Sequence, residues 1–337
     1  MPQASRRALL RLDFDRPAPE EQWLRVHRTA MACRFEVTLP RGDARHIGAA
    51  RRALDEAGRI EAALSVFRES SELSRINGRA AADPAPASGE LFALLTRCHA
   101  LHAATGGVFD ITSTPLSRCW GFLRREGHVP PIADIDAALR IVGMDRVVLE
   151  AQARTVWFAE SGMELNLGAI GKGYALDRLG HRLRRDGVGR ALVSAGGSSL
   201  LAIGGAGRGW TIDVTSPQRE SRIARLRLRD GALGTSGAGE QFFVSGGDGV
   251  RYGHVIDPRT GWPVRGVLSA SVVTSDAETA DALSTAFLIG GVALADRYCR
   301  DHRGVFALIT LDDPTEPTRA FGHYAGAQLE HCHDAHS

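Results

Sequence analysis

Apolar and polar residues alternate along Cys33–Leu39, with Phe35, Val37 and Leu39 set against Arg34, Glu36 and Thr38. That two-residue period predicts a strand. The period lengthens over Ala44–Phe67, where Ile47, Ala50, Leu54, Ala57, Ile60 and Leu64 recur at helical spacing and predict one long helix. Ala80–Ser88 is a Pro/Ala loop, and Glu90–Ala104 reads as a second helix closed by Gly106-Gly107. Pro130-Pro131 opens a linker and a short helix to Val142, followed by a hairpin of Arg146–Leu149 with Thr155–Phe158. An amphipathic helix is expected over Tyr174–Arg185, then strands at Ala191–Ser194, Leu200–Ile203, Trp210–Val214 and Ile223–Leu228. The last of these sets Leu226 and Leu228 against Arg225, Arg227 and Arg229, as a strand with one wet face would. Further strands are predicted at Phe242–Val244, Val255–Ile256, Ser269–Thr274 and Gly304–Thr310. Between the last two, Ser275-Asp276-Ala277-Glu278 has the pattern of a capping box and opens a helix through Cys299. Strands and helices are mixed without regular βαβ repeats, which predicts an α+β fold. Residues 1–20 read as a loose arm, 21–311 as the folded domain, and 312–337 as a polar, His-rich tail.

Composition narrows the function classes. The net charge of +2 provides no field of the kind that nucleic acid or anionic lipid would select. Five cysteines, Cys33, Cys98, Cys119, Cys299 and Cys332, are far apart and lack zinc-type spacing, which points to a reducing compartment. The N-terminus has no apolar core of signal-peptide length, and no apolar run of spanning length is evident. A soluble, cytoplasmic protein is therefore expected.

Among 41 basic residues only Lys172 is a lysine, leaving 41 − 1 = 40 arginines. It lies in Leu165-Asn166-Leu167-Gly168-Ala169-Ile170-Gly171-Lys172-Gly173-Tyr174. A compact ammonium suits tight Gly-rich backbone better than a planar guanidinium fork. The other reading is a surface lysine retained by chance. On the last predicted helix, Asp281, Ser284 and Thr285 stand at i, i+3 and i+4 and share a face of one carboxylate and two hydroxyls. Oxygen donors of this kind suit a hard cation such as Mg2+; the alternative is a solvated polar stripe, although the flanking residues are apolar. Ala195-Gly196-Gly197-Ser198-Ser199 and Thr235-Ser236-Gly237 are small-residue segments of the type that let backbone N–H groups approach phosphate. Neither GxGxxG after a strand nor GxxxxGK[ST] occurs. His254, in His254-Val255-Ile256-Asp257-Pro258, reads either as the end of a strand before an Asp-Pro turn or as a base near a reacting hydroxyl.

Taken in order, these segments resemble the ApbE family of FAD:protein FMN transferases. The resemblance runs from Met31 to Gly291. It takes in Met31-Ala32-Cys33, where the family has Met-Gly-Thr, then Ser65-Val66-Phe67, Ser71–Asn77, Gly107–Phe122, Asn166–Asp177, Ala195-Gly196-Gly197, Thr235-Ser236-Gly237, His254–Gly261 and Asp281–Thr285. It implies a T-fold-like α+β architecture of antiparallel sheets packed with helices, with FAD in a cleft between two subdomains and Mg2+ on its pyrophosphate. It implies that Met31, Phe67, Val108, Phe109, Asp110, Asn166, Lys172 and Ile256 line the flavin site. It implies that the carbonyl of Ala169, with Asp281 and Thr285, holds the metal, with Ser284 where some members have a second aspartate. Asn166 replaces the family's usual Asp, and Phe67 its commoner Tyr. The implied reaction moves FMN from FAD to a Thr or Ser hydroxyl of an acceptor flavoprotein and releases AMP, with His254 as base and Lys172 as electrostatic stabiliser. A flavin-binding protein without transferase activity and a Mg2+-dependent FAD pyrophosphatase are the alternatives.

Overall fold

The computed structural model describes residues 10–11, 22–205, 209–215, 222–239, 241–247, 249–313 and 318–332. The chain forms two compact units. The first comprises 1–61, 170–237 and 266–337, and the second 62–169 and 238–265.

The first unit is built on one antiparallel sheet whose eight strands lie side by side in chain order. They are β1 (Trp23–Ala30), β2 (Cys33–Pro40), β3 (Ala191–Ala195), β4 (Ser199–Ile203), β5 (Gly231–Gly237), β6 (Val267–Thr274), β7 (Phe306–Leu311) and β8 (Thr318–Gly322). Three helices accompany them: α1 (Ile47–Leu64), α2 (Gly171–Arg185) and α3 (Ala277–Asp301). α2 and α3 pack on each other; α2 lies on β3 and β4, and α3 spreads across β5 to β8. A smaller sheet of Leu10–Arg11, Trp210–Thr215, Arg222–Leu228 and Ala327–Cys332 shares a core with the large one. There Ile212, Val214, Leu226 and Leu228 bury against Leu192, Leu200 and Leu233. With cover on both faces, the middle strands lose their polar side, and all five residues of β4 are buried.

The predicted alternation holds in β2, where Phe35, Val37 and Leu39 are buried. Four expectations change. The long helix ends at Leu64 and begins after a 3-10 turn, Arg41–His46. α2 begins at Gly171, which puts Lys172 inside its first turn. The cap of α3 is Asp276, whose carboxylate accepts the Thr279 N–H at 2.8 Å, one residue later than the Ser275 pattern indicated. Val255–Ile256 is no strand, because the chain turns at once through Asp257-Pro258 and only an isolated bridge from Ile256 to Pro263 forms.

Two strands carried little signal. β1 is an edge strand whose arginines face solvent, and β5, Gly-Ala-Leu-Gly-Thr-Ser-Gly, has the composition of a loop. Glycine inside a strand marks a close backbone approach. A Cβ on Gly234 would stand 2.6 Å from the Ala280 carbonyl group, because α3 rests directly on β5. The expected polar tail contributes β8 and Ala327–Cys332, both at sheet edges, where one face stays wet; 333–337 lie outside the described residues. So does most of the N-terminal arm, apart from Leu10–Arg11. α3, at 25 residues, is long and apolar enough to cross a membrane by length and composition, contrary to expectation, but 61% of its apolar window is buried inside the protein.

The second unit holds helices Glu72–Arg79, Gly89–Thr105, Thr114–Cys119 and Ile132–Leu139, with a three-stranded sheet and a hairpin, Phe242–Val244 with Arg251–Gly253. Trp120 centres its core, packed between Tyr252 and Trp262 and donating its indole N–H to the Gly261 carbonyl at 2.8 Å.

Met31 and Ala32 form the two-residue turn between β1 and β2 with φ of 51° and 56°. Both central positions of such a turn favour residues that tolerate positive φ, and a Cβ there costs about 1 kcal/mol per residue. Ala32→Gly is expected to raise unfolding free energy by roughly 1 kcal/mol, read as a higher denaturant midpoint at unchanged slope.

Candidate functional site

The first turn of α2 has backbone N–H groups without partners in the helix itself, at its positive end, and Lys172 stands within it. Its ammonium donates to Ser198 Oγ at 2.7 Å and lies 3.9 Å from Asp281 Oδ1. Asp281 comes from the second turn of α3, and its side chain is only 5% exposed. Its Oδ1 accepts the Ser199 hydroxyl at 3.0 Å, and its Oδ2 accepts the Gly173 N–H at 3.0 Å. Ser198 and Ser199 follow the positive-φ glycines Gly196 and Gly197 at the β3–β4 turn. Consecutive serines at one hairpin tip thus serve opposite charges, Ser198 as acceptor for the cation and Ser199 as donor to the anion. Ser236, on β5, completes the group, with its hydroxyl 2.8 Å from Ser284 Oγ and 3.1 Å from Thr285 Oγ1.

The docking of α2 on α3 fixes this geometry. A Cβ on Gly173 would stand 2.1 Å from the Ala277 carbonyl oxygen, so glycine is needed for the helices to meet. Asp177, one turn further along α2, accepts the N–H groups of Ala277 and Glu278, each at 2.8 Å. Burial pushes its carboxyl up to about 6, with Asp276 adding to the rise, while the two N–H groups and Arg184 oppose it.

Lys172 faces Asp281, and Ser284 and Thr285 stand beside Asp281 on its helix, but not as equals. Ser284 is fully buried, and its hydroxyl donates to the Asp281 carbonyl at 2.8 Å. Thr285 is partly exposed. Ala169 is the last residue of the second unit's first segment. Among the described residues, no group of three or more His, Cys, Asp or Glu gathers. The available donors are one carboxylate and hydroxyl oxygens, a set that fits a hard cation retaining water or phosphate ligands and does not suit zinc or copper.

Met31, half-buried at its strained turn, belongs to the first unit; the other anticipated flavin-lining residues apart from Lys172 belong to the second. Phe67 is 82% exposed, exceptional for a phenyl ring. Val108 and Phe109 are each 1% exposed, so any ligand contact there falls to their backbone. The Asp110 carboxylate is occupied within the unit: Oδ1 accepts the Thr112 N–H at 2.7 Å and hydroxyl at 2.5 Å, and Oδ2 accepts the Met144 N–H at 3.0 Å. It also pairs with His102 Nδ1 at 3.2 Å. Burial disfavours the charged form of that imidazole, but Asp110, the Phe109 carbonyl and Asp145 together outweigh it and raise the His102 pKa. Asn166 accepts the Gly168 N–H at 2.9 Å, a turn that Asp would make equally, with a charge added. Ile256 is buried in the Trp120 core. His254 is half-buried, with Nδ1 3.2 Å from the Gln241 carbonyl. That carbonyl favours the tautomer with the proton on Nδ1 and the lone pair on Nε2.

Sequence reasoning left out Ser198, Ser199, Ser236, Gly173 and Asp177 as site residues. The small-residue segments carried the first three, but no local signal pairs Asp177 with residues 100 positions away.

Residues 31–309 match the model of the ApbE family. A FAD:protein FMN transferase of Klebsiella pneumoniae is 34% identical over 233 residues, 67% of this chain and 71% of that protein. Another, from Treponema pallidum, is 32% identical over 271 residues, 75% of this chain and 74% of that protein. The crystal structure of a Thermotoga maritima ApbE protein superposes with a TM-score of 0.78 at 31% identity, covering 86% of this chain and 95% of that one. The apo flavinyl transferase ApbE of Pseudomonas stutzeri gives 0.77 at 27% identity, covering 89% and 95%.

A carboxyl raised by folding favours the folded state while protonated, and that contribution is lost as pH rises from its unfolded to its folded pKa. For Asp177 this window runs from about 4 to about 6. The stability of Asp177→Asn relative to wild type is therefore expected to shift in the variant's favour as pH rises through that window, measured by denaturant unfolding at successive pH values.

Proposed function

The chain belongs to the ApbE family, and from that premise we propose that it transfers FMN from FAD to a Thr or Ser hydroxyl of an acceptor protein, with Mg2+ as its metal. The acceptor oxygen forms a new ester bond to the phosphorus on the riboflavin side. The pyrophosphate P–O bond breaks, and AMP leaves with the bridging oxygen. The proton of the acceptor hydroxyl passes to a base, for which His254 Nε2 is the candidate.

One observation carries this reading: a lone ammonium, the N–H groups of a helix start and a buried carboxylate converge on one turn of α2. Lys172 and the N–H groups favour a diphosphate, since both offer positive charge to phosphate oxygens. Asp281, with Thr285 on the same helix, would hold the metal. When bound, Mg2+ offsets charge on the phosphate oxygens as the bridging bond breaks. Ser284, fully buried and bonded to Ser236 and the Asp281 carbonyl, is the least accessible oxygen of the set. Phe67, exposed on the second unit, offers an apolar face of the type on which an isoalloxazine ring stacks.

The test incubates the protein with FAD, MgCl2 and a flavoprotein acceptor, following AMP by chromatography and acceptor mass by spectrometry. The expected result is AMP equal in amount to acceptor that gains one FMN less one water. AMP with free FMN instead marks a pyrophosphatase; FAD retained without AMP marks a flavin carrier. Asp281→Asn keeps an oxygen for Ser199 but removes the charge, and is expected to lower turnover on the order of 100-fold. Full activity of that variant at limiting Mg2+ places the metal elsewhere.

A further inference from the structure

We propose that Lys172 couples the two ligands of this site: its ammonium is the resident counter-ion of Asp281, so a divalent cation binds Asp281 tightly only when a diphosphate draws that ammonium away. The inference rests on the functional reading above and concerns what Lys172 does before substrate arrives.

A carboxylate as buried as Asp281 requires compensation. Ser199 and Gly173 supply hydrogen bonds, and Lys172 supplies charge. At 3.9 Å from Oδ1, the ammonium is close enough to neutralise the carboxylate but too far to hydrogen-bond to it. Its short bond goes to Ser198 instead. Lys172 is thus held beside Asp281 without using a carboxylate lone pair. Each carboxylate oxygen has two acceptor directions, so a metal could add without breaking the bonds from Ser199 and Gly173.

Charge, rather than space, is then the obstacle. A cation bonded to Asp281 would face the Lys172 ammonium and the positive end of α2 together. Three positive contributions would share one carboxylate. A diphosphate removes the conflict, since its oxygens accept from Nζ and meet the positive end of α2 while adding negative charge. The side chain of Lys172 is 27% exposed, against 5% for Asp281, so its head can exchange partners while the carboxylate stays fixed. Reciprocity requires that the metal strengthen diphosphate binding by the same factor.

The test uses Mn2+ as the hard-cation probe and ADP as a diphosphate lacking flavin, with free Mn2+ read by electron paramagnetic resonance and complexation by ADP subtracted from a protein-free titration. In the full-length wild type, ADP is expected to raise Mn2+ affinity by about tenfold or more. Lys172→Gln is expected to bind Mn2+ about tenfold more tightly than wild type without ADP, and to lose most of the enhancement by ADP. Lys172→Arg retains the charge and is expected to suppress Mn2+ binding as wild type does. Mn2+ binding by Lys172→Gln equal to or weaker than wild type, with a native circular dichroism spectrum, overturns the proposal. So does wild-type Mn2+ affinity indifferent to ADP, a result that stands even if Lys172→Gln fails to fold. Asp281→Asn separates the layers: if it binds Mn2+ as wild type does, the assignment of the metal to Asp281 falls and the coupling with it. If it loses Mn2+ while Lys172→Gln shows no gain, only the coupling falls.

Discussion

The first unit depends on the way α2 and α3 cap one another. Asp177 of α2 takes the first free N–H groups of α3, and Asp281 of α3 takes the Gly173 N–H of α2. Helix starts leave N–H groups that need partners, and here each helix supplies the other's acceptor. Glycines make the approach possible on two sides, Gly173 beneath Ala277 and Gly234 beneath Ala280. The second turn of α3 is therefore seated on backbone, with little freedom to slide. A side chain at position 281 inherits that rigidity, which the metal-holding role proposed for Asp281 calls for.

The hairpin tip adds discrimination to this frame. Ser198 and Ser199 are neighbours in sequence, yet one steadies the ammonium and the other the carboxylate. The pair is held apart at 3.9 Å rather than collapsed into a hydrogen-bonded salt bridge. A tight bridge would satisfy both charges and leave neither for a ligand. A pair held at charge-contact distance compensates the buried carboxylate while keeping both groups available. This arrangement is better suited to exchanging partners than to stabilising a resting fold.

The departures from the family pattern become intelligible one at a time. Asn166 keeps the turn that an aspartate would make and drops only the charge. Ser284 joins Ser236 and the Asp281 carbonyl inside the unit, where a second carboxylate would be buried. Ala32 imposes a strained turn that glycine would relieve. None of these changes touches the reciprocal caps.

The sequence by itself determined what is local. Alternation in Cys33–Leu39 and helical spacing in 47–64 follow from which face meets a core, and a short window contains that information. It also isolated Lys172 by composition and grouped Asp281 with Ser284 and Thr285 by helical period. Only the tertiary structure decided the rest, because the deciding partners are distant in the chain. β5 is a strand because β4 and β6 pair with it, despite a composition typical of a loop. The polar end becomes β8 and Ala327–Cys332 because open sheet edges needed partners. Lys172 faces Asp281 because two helices, 100 residues apart, meet over a glycine. Hydrophobic period reports the face that a segment buries; it does not report against what.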